Sequence, residues 1–394
     1  MARKSTDILI AGAGIAGLTA AACFAQAGYS VTLAAPSAPR RDKTQGDQRS
    51  TAFLDPAIAL FSEAGLWADL VPHAQPLQEL HITDTVGWPP QIRDSRAFAS
   101  EAPGTPPLAQ NLMNWRIADV LLNALELLPN VTLHWGAGFA SMVTREREAL
   151  VQLTDGTGLR ARLVIGADGR ESAVREAAGI SAEISRFGQK ALAFSVTHPE
   201  PHRNISTEVY NQGGPFTLIP LPDEDGTPTS AVVWMNPGPE AQRLQTLDAQ
   251  AFSAEATTRS AGLLGPLTLA SPRALFPIIT LRAKALTAQR TALIAEAAHV
   301  VPPIGAQGLN TSLNDLAALL HTAAPETLGA RQHLDAYEKS RARDVAARVA
   351  AIGLYNRLTR SGLPPLQSLR LSGLKAVADV PPLRRAVMKA GMGG

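Results

Sequence analysis

Three short stretches hold the residues whose types and spacing could do chemistry. The first, "AGAGIAGLTAAA", spaces Gly12, Gly14 and Gly17 as G-x-G-x-x-G. Glycine at the first position permits a tight turn, at the second lets backbone approach a pyrophosphate, and at the third lets a helix pack closely on a strand. The free N–H groups opening such a helix bind anions. The second, "AEAAHVVPPIGAQGLN" over 295–310, is too rich in glycine and proline for a core helix and too apolar for a solvent loop. Its Glu296 offers an acceptor, its His299 an acid–base group, and Pro303, Gly305, Gln307 and Gly308 leave backbone rather than bulky side chains facing whatever the segment wraps. The third, "ADGRES", presents Asp168 either to a ligand or to the start of a helix as its cap.

These residues need elements to position them. "DILIAGAGIAGLTAAACFAQAGYSVTLAA" reads as a strand over 8–11, a glycine turn, a helix of small residues to about 27 and a second strand over 30–35. That βαβ unit predicts one dinucleotide site, although Ala35 stands where an acid normally grips a ribose hydroxyl. A second "GAG", Gly136 to Gly138, is followed by a hairpin pattern and not by a helix, so no second dinucleotide motif is expected. Asp168 follows a strand and precedes a helix opened by Arg170 and Ser172. From about Ala191 the texture turns to β: "ALAFSV", "ISTEVY", "FTLIPL" and "TSAVVWM" predict an antiparallel sheet, which "LHITD" at 80–84 would join. Tyr210, Phe216 and Trp234 fall in these strands as candidates for a pocket lining or for plain core. The last fifty residues read as helical, with Arg384, Arg385 and Lys389 beside Leu383, Val387 and Met388.

Composition excludes several classes. The chain of 394 residues is 45% hydrophobic, enough for two closely packed domains. Lys plus Arg, 36, nearly balance Asp plus Glu, 34, so nucleic-acid binding lacks its electrostatic footprint. A single cysteine, Cys23, rules out an internal disulfide and suits a reducing compartment. The eight histidines form no H-x-x-x-H pair, so no metal site is expected. The basic start and apolar run imitate a secretory leader, but Asp7 and the spaced glycines oppose that reading, and no segment reaches the roughly 18 apolar residues of a membrane span.

Taken together, the three motifs near 12, 168 and 296 resemble the class A flavoprotein aromatic hydroxylases, and most closely the ubiquinone-biosynthesis hydroxylases. "DQRSTAFLDPAIALFSEAGLW", "ALELLPNVTLHWGA", "LVIGADGRESAVREAAGI" and "GAQGLNTSLNDLAALL" are similar to that group in order and spacing. The likeness is weakest over about 183–270. It implies an α/β fold: a Rossmann-like FAD-binding domain of the p-hydroxybenzoate hydroxylase kind (1–78, 107–182 and 271–330), an antiparallel β-sheet substrate domain (79–106 and 183–270), and a C-terminal helical region (331–394). By resemblance Gly12, Gly14 and Gly17 face the FAD pyrophosphate, Arg49 reaches the phosphates and Asn114 is a cofactor-side polar residue. Asp168 lies near FAD and the nicotinamide route, Glu296 meets the ribityl chain, and Pro303, Gly305, Gln307 and Gly308 lie beside the flavin ring. Ala295–Glu296 replaces the group's usual Gly-Asp, as Ala35 replaces its first acid. His299 is expected to be held by backbone hydrogen bonds under the flavin, with no proton-transfer role.

The resemblance implies an FAD-dependent monooxygenase that uses NADPH or NADH as a transient reductant and O2 to hydroxylate an aromatic ring, a prenylated phenol in ubiquinone biosynthesis. No catalytic side-chain dyad is expected, because the flavin carries the chemistry. Three alternatives stay open: a hydroxylase of a small soluble phenol, a flavin-poor non-catalytic member of a quinone-biosynthesis complex, and a flavin reductase inserting no oxygen. Cytoplasmic placement is expected, with peripheral contact to the inner membrane or partner enzymes through the terminal helix, and self-association is compatible with the sequence.

Overall fold

The computed structural model describes residues 3–99, 106–382, 384, 385 and 387. Its first sheet is centred on Lys4–Ala11, flanked by parallel Val31–Ala35 and Gly158–Gly166, with Val131–Trp135 and Thr291–Leu293 outside them. Ile8 to Ala11 and the whole of Val31–Ala35 are buried, which is why these strands are continuous apolar runs and not alternating ones. The helix Ile15–Gln26, buried from Ala16 to Ala25, packs against the helices Asn114–Glu126 and Gln307–His321. Two glycines fix the junction. Gly12 has φ +106°, and a Cβ there would lie 2.3 Å from the Ala167 carbonyl oxygen; a Cβ on Gly17 would lie 2.1 Å from that of Gly12.

The second, nine-stranded sheet runs in the order His299–Val300, Ala274–Ala283, Ala182–Thr197, Thr227–Pro237, Gly214–Glu224, Ile205–Asn211, Glu79–Val86 and Gln91–Ala99, with the short Thr268–Leu269 pairing off this path against Ala182–Thr197. It is antiparallel, as expected, with one exception: Ile205–Asn211 and Glu79–Val86 pair in parallel. The strand holding Leu80–Asp84 is joined to its partner by a long connection, and only a hairpin forces antiparallel pairing. The same sheet also takes in a strand past residue 270. Ala274–Ala283 pairs with Ala182–Thr197, Leu281 opposite Ile184, before the chain returns to the first sheet at Thr287.

One face of this sheet is core: Phe194, Val209, Phe216, Leu218, Val232 and Trp234 pack with Phe252 of the helix Ala249–Arg259. Phe216 and Trp234 are therefore core aromatics, and Tyr210, on the opposite face, borders a cavity. The helix Arg331–Thr359 spans both sheets. Its Tyr337 hydroxyl donates to the Leu293 carbonyl at 2.8 Å, and its Asn356 amide donates to Gln189 at 3.0 Å. The helix Pro364–Asp379 follows. Of the terminal residues singled out in the sequence, Leu383, Met388 and Lys389 lie outside the described residues, and the Arg384 guanidinium stacks 5.7 Å from the Phe98 ring.

Candidate functional site

A continuous cavity of about 1880 Å³ runs between the two sheets and under the terminal helices. One limb begins at the glycine turn. Gly12, Gly14, Ala35, Pro36, Ser37 and Pro39 border it, and so do Gly138 and Phe139. Gly138 of the second "GAG" thus borders the same limb as the glycine turn, which spacing alone did not signal. A Cβ on Gly14 would meet nothing within 4 Å, so the position is open on the cavity side. The helix Ile15–Gln26 starts there with no side-chain cap and no acid in its first turn, leaving its free N–H groups to a ligand. The helix Gln307–His321 also starts at the cavity, behind Ala306 at φ +56°, again with no side-chain cap and no acid in its first turn. Two uncapped positive helix ends facing one cavity favour an extended anion.

The middle of the cavity collects the sequence-selected polar residues. Arg49 donates to Asp47 through Nε (2.9 Å to Oδ1) and Nη2 (2.6 Å to Oδ2), lies 3.9 Å from Glu296 Oε1, and stacks 4.8 Å from the Phe276 ring. Asn114 donates to Asp47 at 3.0 Å and accepts from the Thr51 hydroxyl at 2.8 Å. Burial would raise the Asp47 carboxyl, but the hydrogen bonds and charge of Arg49 outweigh it and hold the group below the usual carboxylate range. Asp47 was missed in the sequence; only its place in "DQRST" two residues before Arg49 hinted at it. Asp168 borders the cavity, and its carboxylate also receives the Ser172 hydroxyl and the Val174 N–H (3.0 Å), capping the helix Ala173–Ala177. Pro303, Gly305, Gln307 and Gly308 line the cavity, whereas Gly17 sits behind the turn.

His299 is 2% exposed and bonds Asp315 through Nε2 at 2.5 Å. Asp315, fully buried, also receives Arg341 Nε at 2.8 Å, and Arg341 reaches Asp344, which receives Arg348 Nε at 2.9 Å. Arg348 Nη1 in turn donates to Gln307 at 2.8 Å. The chain of charges thus ties His299 and Gln307, both at the cavity wall, to the long helix Arg331–Thr359. The bond that holds the His299 ring comes from a side chain, Asp315, where backbone bonds were expected.

The match with known proteins agrees with this geometry. The model of the family described as FAD binding domain matches residues 5–351. The chain belongs to that family. This FAD-binding chain is 32% identical to the ubiquinone hydroxylase UbiL of Rhodospirillum rubrum over all of itself and 90% of that protein. It is 27% identical to the 3-demethoxyubiquinol 3-hydroxylase of Escherichia coli, with both chains covered in full. Its fold is that of p-nitrophenol 4-monooxygenase PnpA from Pseudomonas putida, TM-score 0.78 at 17% identity over 99% of each chain. The cofactor is FAD, with a nicotinamide reductant typical of the class. The residues fit it: the open Gly14, the two uncapped helix starts and the cationic Arg49 on the same cavity suit a long, doubly charged pyrophosphate-bearing ligand.

Proposed function

We propose that this FAD-dependent enzyme is a monooxygenase that hydroxylates the ring of a prenylated phenol in ubiquinone biosynthesis, using NADH or NADPH and O2. In this reading Gly12, Gly14 and the helix start behind them hold the pyrophosphate, while Gly17 keeps helix and strand close. Arg49 neutralises the phosphates, steadied by Asp47 and Asn114. Glu296 accepts a hydroxyl of the ribityl chain. Pro303, Gly305, Gln307 and Gly308 border the flavin ring, where the helix start at Gln307 favours negative charge. Asp168 borders the same site from its capping position. Bound and reduced, FAD supplies the activation of O2 for insertion into an aromatic carbon; the protein's part is orientation and exclusion of water.

The observation that carries this reading is the shape of the cavity beyond the loop. It crosses the sheet face from Val233 toward Phe98, four strand spacings or roughly 19 Å, where Ile82, Phe98, Leu358, Leu369, Leu374 and Val377 line it around the mutually neutralised Asp84–Arg370 pair. A small soluble phenol would leave this apolar limb wet; a ring with an isoprenoid chain fills it. Contact with a membrane or partner enzyme through the terminal helices belongs to the same reading, and among the described residues no helix is long and apolar enough to cross a membrane.

The test follows oxidation of NADH and NADPH by the FAD-loaded protein, with 18O2, against one phenol bearing no chain, a short chain or a long chain. The expected result is label in the ring and a kcat/KM that rises with chain length. Chain-independent turnover would favour a small phenol as substrate, unlabelled product a reductase, and failure to retain FAD a non-catalytic binding role. Unchanged vesicle co-sedimentation after deletion beyond Pro382 would remove the terminal-helix contact.

A further inference from the structure

Glu208 is a carboxylate that none of the assignments above uses. It lies in the strand Ile205–Asn211, is 7% exposed, and belongs to the sheet face that borders the cavity, with Ser206 and Tyr210 two residues to either side. No Lys, Arg or His is paired with it among the described residues. Its one protein partner there is the Tyr210 hydroxyl, which donates to Oε2 at 2.7 Å, and the Tyr355 hydroxyl donates in turn to the Tyr210 oxygen at 3.1 Å. All three side chains border the cavity. The hydrogens of this short chain run one way, from Tyr355 through Tyr210 to Glu208, and leave Oε1 as an acceptor with no protein donor among the described residues.

A buried carboxyl in this condition is costly unless something else completes it. Structural carboxylates elsewhere in this chain are completed: Asp84 receives two arginines, and Asp315 an arginine and a histidine. Asp84 and Glu208 both border the cavity, and of the two only Glu208 does so with no cationic partner among the described residues.

Register places it relative to the loop. Val233 lies opposite Thr217, Thr217 opposite Glu208, and Glu208 beside Ile82, one row across four strands, and every member of the row borders the cavity. Val233 packs against the cluster that contains Ile304 of the 303–308 loop. Glu208 is therefore two strand spacings, roughly 10 Å, from Val233, the member of the row that packs on the cluster holding Ile304. That is the width of one six-membered ring with an oxygen substituent and its packing contacts. Ile82, on the other side of Glu208, starts the apolar limb.

We infer that Glu208, oriented by Tyr210 and Tyr355, accepts a hydrogen bond from a ring hydroxyl of the substrate, and so selects a phenol with a free hydroxyl and sets which ring carbon faces the 303–308 loop. This rests on the aromatic-hydroxylase reading and deepens it from ring to substituent. The acceptor is well suited: burial pushes the Glu208 carboxyl above its ordinary range, opposed in part by the Tyr210 hydrogen bond, and a more basic carboxylate is a stronger acceptor for a weakly acidic hydroxyl.

The test uses the FAD-loaded protein without reductant, so that binding is read from the perturbation of the flavin absorption spectrum. The ligands are a chain-bearing phenol and its O-methyl ether, which has the same shape and no hydroxyl donor. The wild type should prefer the phenol by about 10- to 100-fold in Kd, the range of a hydrogen bond to a charged group. In Glu208→Gln the amide oxygen takes the Tyr210 hydroxyl and the amide N–H faces the cavity, so the preference should collapse to within about 3-fold, mainly through loss of phenol affinity. Tyr355→Phe leaves the carboxylate in place and should lower the preference less; it also serves if Glu208→Gln fails to retain FAD, since an unchanged preference in Tyr355→Phe then counts against the oriented chain. A preference that Glu208→Gln keeps in full overturns the inference and leaves the hydroxylase reading standing. A wild type that perturbs with neither ligand and makes no hydroxylated product overturns both. With turnover restored, product from Glu208→Gln should spread over more than one ring position, which a merely structural role would not cause.

Discussion

The helix Pro364–Asp379 should come loose when Arg370 is replaced. Along that helix only Gln367 is buried, so apolar packing holds it weakly. Arg370 supplies the strongest tie: its Nε donates to Asp84 Oδ1 at 2.5 Å, with the two side chains 6% and 1% exposed, and it also reaches the Thr85 and Thr359 carbonyls at 3.2 and 3.3 Å. The other links are an Arg93 bond to the Gln367 carbonyl at 3.1 Å and the exposed Arg96–Asp379 pair, the latter contributing at most about 1 kcal/mol. Removing one partner of a buried pair costs about 3–5 kcal/mol. In Arg370→Met the remaining Arg93, 2.5 Å from Asp84 Oδ2, still neutralises the carboxylate, so the lower end, about 3 kcal/mol, applies. At 0.59 kcal/mol per RT this raises the open population of the helix roughly 150-fold. Hydrogen exchange followed by mass spectrometry should show that loss of protection over 364–379, with the first sheet unchanged. Because Leu369, Leu374 and Val377 border the apolar limb, affinity for a long-chained ligand should fall as well. A change in protection below about 5-fold, or one spread evenly over the chain, would refute the argument that this pair is the latch.

Other consequences can be measured directly. Asp315→Asn leaves Arg341 and His299 without their shared anion in a fully buried position, so the denaturation midpoint should fall by an amount worth about 3 kcal/mol or more; a loss under about 1 kcal/mol would show the pair is not needed. Burial pushes the His333 imidazole below its ordinary 6.5, against a hydrogen bond to the Leu319 carbonyl. Its folded-state pKa is depressed, so its contribution is full above pH 6.5 and is lost as pH falls, when the unfolded chain takes up a proton that the folded chain refuses. His333→Gln should flatten the acid side of the stability profile measured by denaturant titration. Burial pushes the Cys23 thiol up to about 12, and a thiol reagent should therefore react with it only on unfolding. Ala295 has φ +55°, where alanine is strained by about 1 kcal/mol; Ala295→Gly should raise the midpoint slightly, part of the gain being offset by the freer unfolded chain.

Much of the fold is legible in the sequence. The βαβ unit was legible because glycine spacing, apolar runs and small helix residues each point the same way; the observed elements, Lys4–Ala11, Ile15–Gln26 and Val31–Ala35, differ from the expectation mainly at their ends. The four β-rich runs were legible by composition, but pairing was not: nothing local in "LHITD" says that its neighbour is parallel, and nothing in "ALFPIITLRA" says which sheet it joins. Tyr210, Phe216 and Trp234 could not be sorted into pocket and core, since that depends on which face of the strand the other sheet and the terminal helices cover. Glu208 and Asp47 escaped notice for a related reason. A carboxylate in a strand or loop looks like solvent-facing charge until packing shows what buries it.

The departures from the resembling family also become intelligible once the site is seen as mainly backbone. Ala35 offers no carboxylate, and the limb beside it is walled by Pro36, Ser37, Pro39, Gly138 and Phe139. Glu296 keeps an acceptor in place, half-exposed and 3.9 Å from Arg49, where the ion pair itself contributes at most about 1 kcal/mol. Neither change touches the groups to which the proposed function gives most of the holding: two uncapped helix starts, and a turn whose glycines admit no Cβ because carbonyl oxygens lie 2.1 and 2.3 Å from where it would be. Side-chain ligands at 35 and 296 can therefore drift while cofactor binding survives, but Gly12→Ala and Gly17→Ala cannot be accommodated without moving strand against helix. The expected order of damage in FAD affinity is thus the two glycines first, Arg49 next and Glu296 last. An Ala scan that placed Glu296 ahead of Gly12 would mean that the side chains, and not the backbone cradle, hold the cofactor.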